Sequence, residues 1–458
     1  MFEVFGMSLV DGRLFDRFIA VLSKFRSGLA IDFSECRDFS LLIYFFCYLS
    51  HEARRGSGSA DGFLAIVESN TVSLKTGLLK YSSALDEKLG GDYFFSDVIL
   101  SFFKGSFDSY ADNLVRNFCF DVFSLLSDEE VFGSAGECFE FLIKYFSDGG
   151  GKKSGDDYTP RSLVDLMVSA VNPCKGESVY DPVCGSGGFL VAAGKRDLNA
   201  VGEISLSGRE VNISSARIAK INCYLHGFYD ASIKVESSLR FVDRRQYDIV
   251  LANPPFSIPF SDLEGVDYSL FRFGLPPKSN ADYAFLQIVI GSMKESGRAA
   301  VVVPQGVLFR GGDEGEIRKS IILSGLIDAV VTLPSNIFIN TAIPVSILML
   351  KGSAVETGGV FFVDGAAIYE GLQKKPGVDQ VFGEAVLDIF EERREVEGVS
   401  RLVGWNLIAE NNYNLSLARY VSPISAEKRS LSELLDRQRE MQDQLDSLLH
   451  KFYKILDE

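Results

Sequence analysis

The sequence predicts a mixed α/β protein whose centre is a doubly wound, mostly parallel β-sheet with an antiparallel terminal strand. Three observations support this fold class. Short β-rich runs alternate with helical stretches from residue 178 onward, which is typical of doubly wound sheets. Residues 1–146 place Phe and Leu at helical spacing, and residues 421–458 carry an apolar heptad repeat. We therefore expect a helical N-terminal domain before the sheet and a coiled-coil helix after it.

The N-terminal helices are predicted from apolar residues three or four positions apart, most clearly in residues 41–55 and 137–148. This pattern assigns residues 1–146 to the helical domain. The glycine-rich residues 147–157 indicate a linker or mobile loop. The sheet domain then follows from residue 158 to residue 420.

Strands and helices alternate in the sheet domain. Strands are predicted at 178–182, 204–211, 231–238, 247–255, 298–305, 328–333 and 344–350. Helices are predicted between them at 187–195, 212–227, 282–297 and 315–325. The link between the last two strands is too short for a helical crossover, so these strands should be antiparallel neighbours.

The C-terminal residues 421–458 fill both core positions of about four heptads with apolar side chains, with Gln438 as the exception. The narrow apolar stripe and the terminal position favour a helix that packs against a partner. The alternative is a helix that lies on its own domain.

Composition and charge limit the possible functions. The chain has 458 residues, 47% of them apolar, which is enough for two or three domains with cores of their own. Its net charge is −16, whereas nonspecific affinity for nucleic acid comes mainly from Lys and Arg. The chain alone should therefore bind DNA or RNA poorly. Either nucleic acid is not its substrate, or a partner supplies the positive charge.

Neither a membrane span nor a metal site is expected. The sequence has no uninterrupted apolar run of the length that a bilayer span needs, and its first residues lack the basic region of a signal peptide. We expect a cytoplasmic protein. The seven cysteines and three histidines lack the close spacing of zinc ligands, which indicates reduced, mostly buried thiols.

A glycine-rich turn, residues 184–188, joins the first strand to the next helix. Such turns let a ligand approach the backbone N–H groups at a helix N-terminus. A dinucleotide fingerprint would need glycine where the chain has Leu190. Asp181, at the end of the strand, would repel a phosphate but suits a cation such as the ammonium of a methionine moiety. A purely structural role as a turn or cap residue is the alternative for Asp181.

The second strand ends in Glu210, which is placed to accept hydrogen bonds from a ribose diol. The alternative is an acid that stabilises a helix start. A glycine turn, an acid for an ammonium and an acid for a ribose together describe S-adenosylmethionine.

The fourth strand is followed by Asn253, Pro254, Pro255 and Phe256. Exocyclic amines of bases and amides are poor nucleophiles because their lone pair is delocalised, so a methyl acceptor of this kind needs its N–H groups held by acceptors. The side-chain oxygen of Asn253 and the carbonyl of Pro254 can hold them, and the prolines fix the loop without adding donors. Phe256 offers a ring on which a flipped base can stack. These four residues are the predicted catalytic residues.

These motifs resemble those of the modification subunits of type I restriction-modification systems, which are gamma-class adenine-N6 DNA methyltransferases. The resemblance extends from about Cys138 to Tyr420. It rests on DYTPR, DPVCGSGGF, GREVN and NPPF, which begin at residues 157, 181, 208 and 253.

The resemblance implies methyl transfer from S-adenosylmethionine to adenine N6 in DNA. The cofactor-binding residues that it implies are Tyr158, Thr159, Pro160, Asp181, Cys184, Gly185, Ser186, Gly187, Phe189, Glu210 and Ser237. It also implies a separate specificity subunit that binds the C-terminal helix and chooses the DNA site, together with a second copy of this chain in the complex. A restriction subunit could join the same complex, and the helical domain would help to close over DNA.

The chain departs from the family pattern on the third strand, where Glu236 and Ser237 replace the usual Gly-Asp pair. Either Glu236 makes the missing contact with the cofactor, or that contact is lost. Two other functions remain open: methylation of glutamine side chains in proteins, since related enzymes share the N-P-P-[FY] motif, and a non-catalytic scaffold that keeps the fold.

Overall fold

The computed structural model describes residues 12–422 apart from short gaps. The gaps are residues 30, 32, 58–61, 70–72, 90–92, 105–108, 150–158, 197–202, 241–245, 261–265, 336, 339–342, 355–357 and 373–377. Tyr158, most of the expected linker and the C-terminal heptads therefore lie outside the described residues. Among the described residues, no helix is both long and apolar enough to cross a membrane.

About the first third of the described chain is helical. It contains α1 (Gly12–Leu29), α2 (Phe33–Ser57), α3 (Gly62–Glu68), α4 (Leu74–Leu89), α5 (Phe95–Phe102), α6 (Ser109–Leu126), α7 (Glu129–Gly133) and α8 (Ala135–Gly149). Phenylalanine rings dominate its interior, where Phe39 stacks on Phe102 with ring centroids 3.7 Å apart. We call α1 to α8 the helical segment.

The rest of the described chain alternates strands and helices. The strands are β1 (Ser178–Asp181), β2 (Ser205–Glu210), β3 (Ser232–Val235), β4 (Tyr247–Ala252), β5 (Met293–Pro304), β6 (Ile327–Thr332), β7 (Val345–Lys351), β8 (Gly359–Asp364) and β9 (Ser400–Gly404). The helices are α9 (Arg161–Val171), α10 (Gly188–Lys195), α11 (Ile213–Leu225), α12 (Asp282–Ser292), α13 (Asp313–Leu323), α14 (Gly365–Leu372), α15 (Val378–Glu391) and α16 (Trp405–Glu410).

In the described part of the chain, the strands form one sheet in the order β3-β2-β1-β4-β5-β7-β6-β8-β9. The first five strands in this order are parallel. The expected antiparallel pair is confirmed, since β6 and β7 run antiparallel with Val331 opposite Ile347. The sheet continues with β8 parallel to β6, and it ends with β9 antiparallel to β8.

The helix before β5 is shorter than predicted. We expected it to reach residue 297, but α12 ends at Ser292 and β5 begins at once. The side chain of Lys294 donates to Asp248 on β4 at 2.7 Å, and Met293 pairs with Tyr247. These contacts with β4 hold the segment in the sheet, so the prediction of helix here is wrong.

The helical segment shares one apolar core with the sheet. A single cluster of buried side chains joins Phe45 and Phe139 of the segment to Val179 and Ile249 of the strands. It also contains helices α9, α10, α11 and α15, which cover the same face, whereas α12 and α13 cover the other face. Helix α8 continues past the predicted boundary at residue 146 as far as Gly149, and the apolar core is continuous across this boundary.

Candidate active site

The candidate site lies where β1, β2, β3 and β4 end, which is where open α/β sheets hold their ligands. Two adjoining cavities occur there, one of about 400 Å³ and one of about 60 Å³. Both are lined by Gly185, Ser186 and Asn253. The larger cavity falls within the usual range for small-molecule sites.

The glycine-rich turn adopts a conformation that its sequence makes possible. Gly185 and Gly187 have φ angles of +51° and +84°, and the N–H of Gly187 donates to the carbonyl of Cys184 at 2.8 Å. A Cβ on Gly187 would lie 3.2 Å from the Cα of Ala219. The turn therefore needs glycine both for its backbone angles and for its close packing on α11. It leads directly into α10, in which Phe189 is buried.

Asp181 is buried at the end of β1, with 2% of its surface exposed. It accepts a hydrogen bond from the N–H of Val183 at 2.9 Å, so its side chain does stabilise the turn that follows β1. Burial raises the pKa of its carboxyl group to about 8, and the nearby Glu210 adds to this effect. Asp181 makes no ion pair with any described residue. A cationic ligand would therefore stabilise its charged form.

Glu210 ties the glycine-rich turn to β2. Its Oε2 accepts from the N–H of Gly185 at 3.0 Å, and its Oε1 accepts from the N–H of Asn212 at 2.8 Å. The cap of α11 is Asn212, whose side chain accepts from Ser214 and Ser215, so Glu210 is not needed for that role. Each carboxylate oxygen keeps a second lone pair for a ligand hydroxyl, and Glu210 lines the larger cavity.

The third-strand pair also lines the larger cavity. Glu236 forms an ion pair with the buried Arg209 at 2.8 Å and lies 3.8 Å from Lys234. The hydroxyl of Ser237 accepts from the N–H of Leu239 at 3.3 Å. Arg209 thus pairs with the charge of Glu236, and Ser237 contributes a neutral side chain to the cavity.

Asn253 lies directly after β4, between the two cavities. Its Nδ2 donates to the hydroxyl of Thr159 at 3.0 Å, while its Oδ1 is buried with no hydrogen-bond partner in the described part of the chain. A buried acceptor without a partner is costly. It is therefore available for an N–H group of a substrate. Thr159 lines the smaller cavity, and Pro160 follows it as the residue that precedes α9.

The rest of the loop is held by packing and by α12. Pro254 is buried and Pro255 lines the larger cavity. The ring of Phe256 packs edge-on against Phe338, with centroids 5.9 Å apart. Ser257 has a φ angle of +56°, and its N–H donates to Asp282 at 2.8 Å. The chain reverses direction immediately after Phe256.

Sequence reasoning missed the residues that reach the cavities from the helical segment. Arg37 and Leu41 of α2 and Ile143 and Ser147 of α8 line the larger cavity, and Glu140 lines the smaller one. No motif marks them: the local sequence indicates only helix for most of them, and Ser147 was expected in the linker but lies in α8. Across the described residues, no group of three or more His, Cys, Asp or Glu side chains is placed to hold a metal ion.

The family model for N-6 DNA methylases matches residues 128–429. The chain belongs to the N-6 DNA methylase family. This confirms the resemblance found in the motifs. The chain is similar to the type I restriction enzyme MjaVII methylase subunit of Methanocaldococcus jannaschii, with 30% identity over 346 residues. The match covers 69% of the chain and 59% of that relative.

Two further comparisons agree with this family. The type I restriction enzyme HindI methylase subunit of Haemophilus influenzae is 34% identical to this chain, over 51% of the chain and 54% of the relative. The fold is also similar to the crystal structure of a type I restriction-modification system methyltransferase subunit from Streptococcus thermophilus, with a TM-score of 0.70 and 25% sequence identity. The superposition covers 89% of this chain and 99% of that structure. The chain spans less than two thirds of the two curated relatives.

The cofactor of this chain is S-adenosylmethionine, and the described residues fit it. The carboxyl group of Asp181 is buried, has no ion-pair partner in the part of the chain that the structure describes, and would meet the ammonium of the cofactor. Glu210 would accept from the ribose hydroxyls at the larger cavity. The two cavities meet at Gly185 and Ser186, so the methionine and adenosyl portions can occupy one continuous space.

Proposed function

We propose that this chain methylates the N6 atom of adenine in DNA as the modification subunit of a type I restriction-modification complex. The observation that carries the proposal is the buried Oδ1 of Asn253, which has no partner among the described residues. Asn253 borders both the small cavity near Asp181 and the large cavity near Glu210. An amine bound at Asn253 would therefore lie beside the cofactor.

The loop after β4 performs the alignment. Asn253 Oδ1 and the carbonyl of Pro254 accept the two hydrogens of the adenine N6 amine, which draws its lone pair out of conjugation with the ring. Thr159 holds the Asn253 side chain, so that its oxygen and not its NH₂ group faces the amine. When bound, S-adenosylmethionine supplies a methyl group on a positively charged sulfur. The amine nitrogen would form a bond to this methyl carbon as the S–CH₃ bond breaks, S-adenosylhomocysteine would leave with the electron pair, and the amine would lose one proton to water.

The adenine must leave the DNA duplex to reach this loop. Phe256 is half-buried and already packs edge-on against Phe338, so the orientation of its ring is fixed before a base arrives. Stacking on such a ring would hold the flipped adenine in place. We assign Phe256 this role.

We further propose that other chains supply DNA recognition. The net charge of −16 disfavours tight binding of DNA by this chain alone. A specificity subunit would bind the heptads within residues 421–458 and choose the sequence. A second copy of this chain and a restriction subunit would complete the complex.

The test is to map N6-methyladenine in a methylation-free bacterial host that expresses this chain with its genomic neighbours. A parallel strain carries Asn253→Ala. We expect a bipartite DNA motif to be methylated in the first strain and not in the second. Asn253→Ala should lower the rate at least about 100-fold, since removal of one pre-organised polar group has effects of this size.

Two results would contradict the proposal. Methylation that persists in the Asn253→Ala strain would show that the assigned loop is wrong. The absence of adenine methylation in both strains, with the complex assembled, would favour a protein substrate or a non-catalytic scaffold.

A further inference from the structure

The larger cavity has two walls, and one of them belongs to the helical segment. The sheet contributes residues that precede or follow strands, including Glu210, Ser237 and Asn253. The other wall consists of Arg37 and Leu41 from α2 and Ile143 and Ser147 from α8. We call these four residues the helical wall. Leu41 and Ile143 are almost fully buried.

Hydrogen bonds attach α2 beside the ribose-binding position. The hydroxyl of Ser214, in the first turn of α11, donates to Asp38 at 2.8 Å and accepts from Arg37 at 3.3 Å. Arg37 also donates to Asp38 at 2.8 Å. Because α11 begins three residues after Glu210, this contact fixes the start of α2 next to the carboxylate expected to bind the ribose.

Helix α8 is fixed just as closely on the other end of α11. Gly136 lies so near His226 that a Cβ at position 136 would come within 2.5 Å of the imidazole ring. The side chain of Arg217 in α11 donates to the carbonyls of Tyr93 and Phe94, at 2.7 and 3.0 Å. Hydrogen bonds thus hold α2 against the first turn of α11, and α8 packs closely on His226, which directly follows α11.

We propose that the helical wall forms half of the S-adenosylmethionine site, with Leu41, Ile143 and Ser147 against the adenosyl portion of the cofactor. The cavity of about 400 Å³ encloses a ligand only while both walls are in place. Apolar side chains in the same cavity as the ribose acid suit the flat face of a purine ring, because ligand pockets are lined mainly by apolar groups. The inference rests on the proposed function, because it assumes the cofactor orientation set by Asp181 and Glu210.

Calorimetric titration of the full-length chain with S-adenosylmethionine tests this inference. Ser147→Trp fills the cavity from α8, and we expect it to raise the Kd at least about tenfold. Asp148→Trp is the matched control, because Asp148 is exposed on the same helix and does not line the cavity. We expect that control to change the Kd less than about twofold. Glu210→Ala, on the sheet wall, should also weaken binding.

The outcomes separate the inference from the proposed function. If Glu210→Ala weakens binding and Ser147→Trp does not, the helical wall is excluded while the sheet-side site stands. If both variants bind as tightly as the unmodified chain, or if the unmodified chain binds no cofactor, the proposed site fails and the inference fails with it.

Hydrogen exchange on the unmodified chain gives a second measurement that does not depend on how a variant folds. With S-adenosylhomocysteine bound, we expect slower exchange in residues 33–57 and 135–149 as well as in residues 181–189. Protection confined to residues 181–189 would overturn the inference.

Discussion

The carboxyl group of Asp181 destabilises the cofactor-free chain as the pH rises. Its pKa is about 8 in the folded chain, compared with about 3.9 in an unfolded chain. Between these values the folded state holds a proton that the unfolded state has lost, so the free energy of unfolding falls as the pH increases. We expect Asp181→Asn, which cannot ionise, to be more stable than the unmodified chain at pH 8 and to differ less from it at pH 5.

Urea denaturation at both pH values measures this difference. The control is Asp148→Asn, because Asp148 is exposed on α8. An equal effect of Asp181→Asn at pH 5 and pH 8 would mean that Asp181 is already ionised in the folded chain. The cofactor would remove this instability in the unmodified chain by supplying the missing cation.

Individual site residues could be predicted where the chain places them in consecutive positions after a strand. Asn253 and the next three residues were identified because the loop follows an apolar strand, and Asp181 was identified because it precedes the glycine-rich turn. The hydrogen-bond partner of the Asn253 side chain is Thr159, which the motifs predict only as a cofactor-binding residue. A hydrogen bond between residues so distant in sequence follows from tertiary packing, and no local pattern encodes it.

Among the secondary structure elements, α12 has a role beyond packing. Its first residue, Asp282, accepts from the N–H of Ser257 at 2.8 Å and forms an ion pair with Arg310, which also pairs with Glu314 at 2.5 Å. Asp282→Ala removes both contacts and leaves the left-handed Ser257 without its acceptor. We expect the free energy of unfolding to fall by about 1 to 3 kcal/mol, because Arg310 is partly exposed and keeps Glu314.

Chemical denaturation of Asp282→Ala beside Asp313→Ala checks this prediction. Asp313 is an exposed residue in the first turn of α13, and its loss should cost less than about 0.5 kcal/mol. Equal losses in the two variants would show that the link between α12 and the loop contributes nothing specific.

Elements were predicted well where strands and helices alternate at a regular length. The parallel strands follow from that pattern, and the antiparallel β6–β7 pair follows from the short link between its two strands. The strands β8 and β9 were not predicted, since the apolar run of β8 stands apart from the alternation and β9 has a mixed composition. Pairing with β6 and with each other decides their conformation.

For the whole molecule, the sequence indicated a helical segment but not its contribution to the cavity. The helical wall is built from two helices, α2 and α8, that are far apart in the chain. Their apolar periodicity is the same whether a helix lines a ligand cavity or only a core. The helical wall reaches the cavity because both helices pack in one core with α11.

The charge of the whole molecule leads to a last prediction, on DNA binding. With 62 acidic and 46 basic residues, the chain repels a polyanion at long range, and few phosphate contacts can offset this. We expect the isolated chain to bind duplex DNA with a Kd weaker than about 10⁻⁵ M at physiological salt.

Fluorescence anisotropy of a labelled duplex containing the mapped motif, measured with and without the specificity subunit, provides the test. Addition of that subunit should produce tight, sequence-dependent binding. Tight binding of the motif by the isolated chain would place the recognition surface on this protein and would refute the division of labour proposed above.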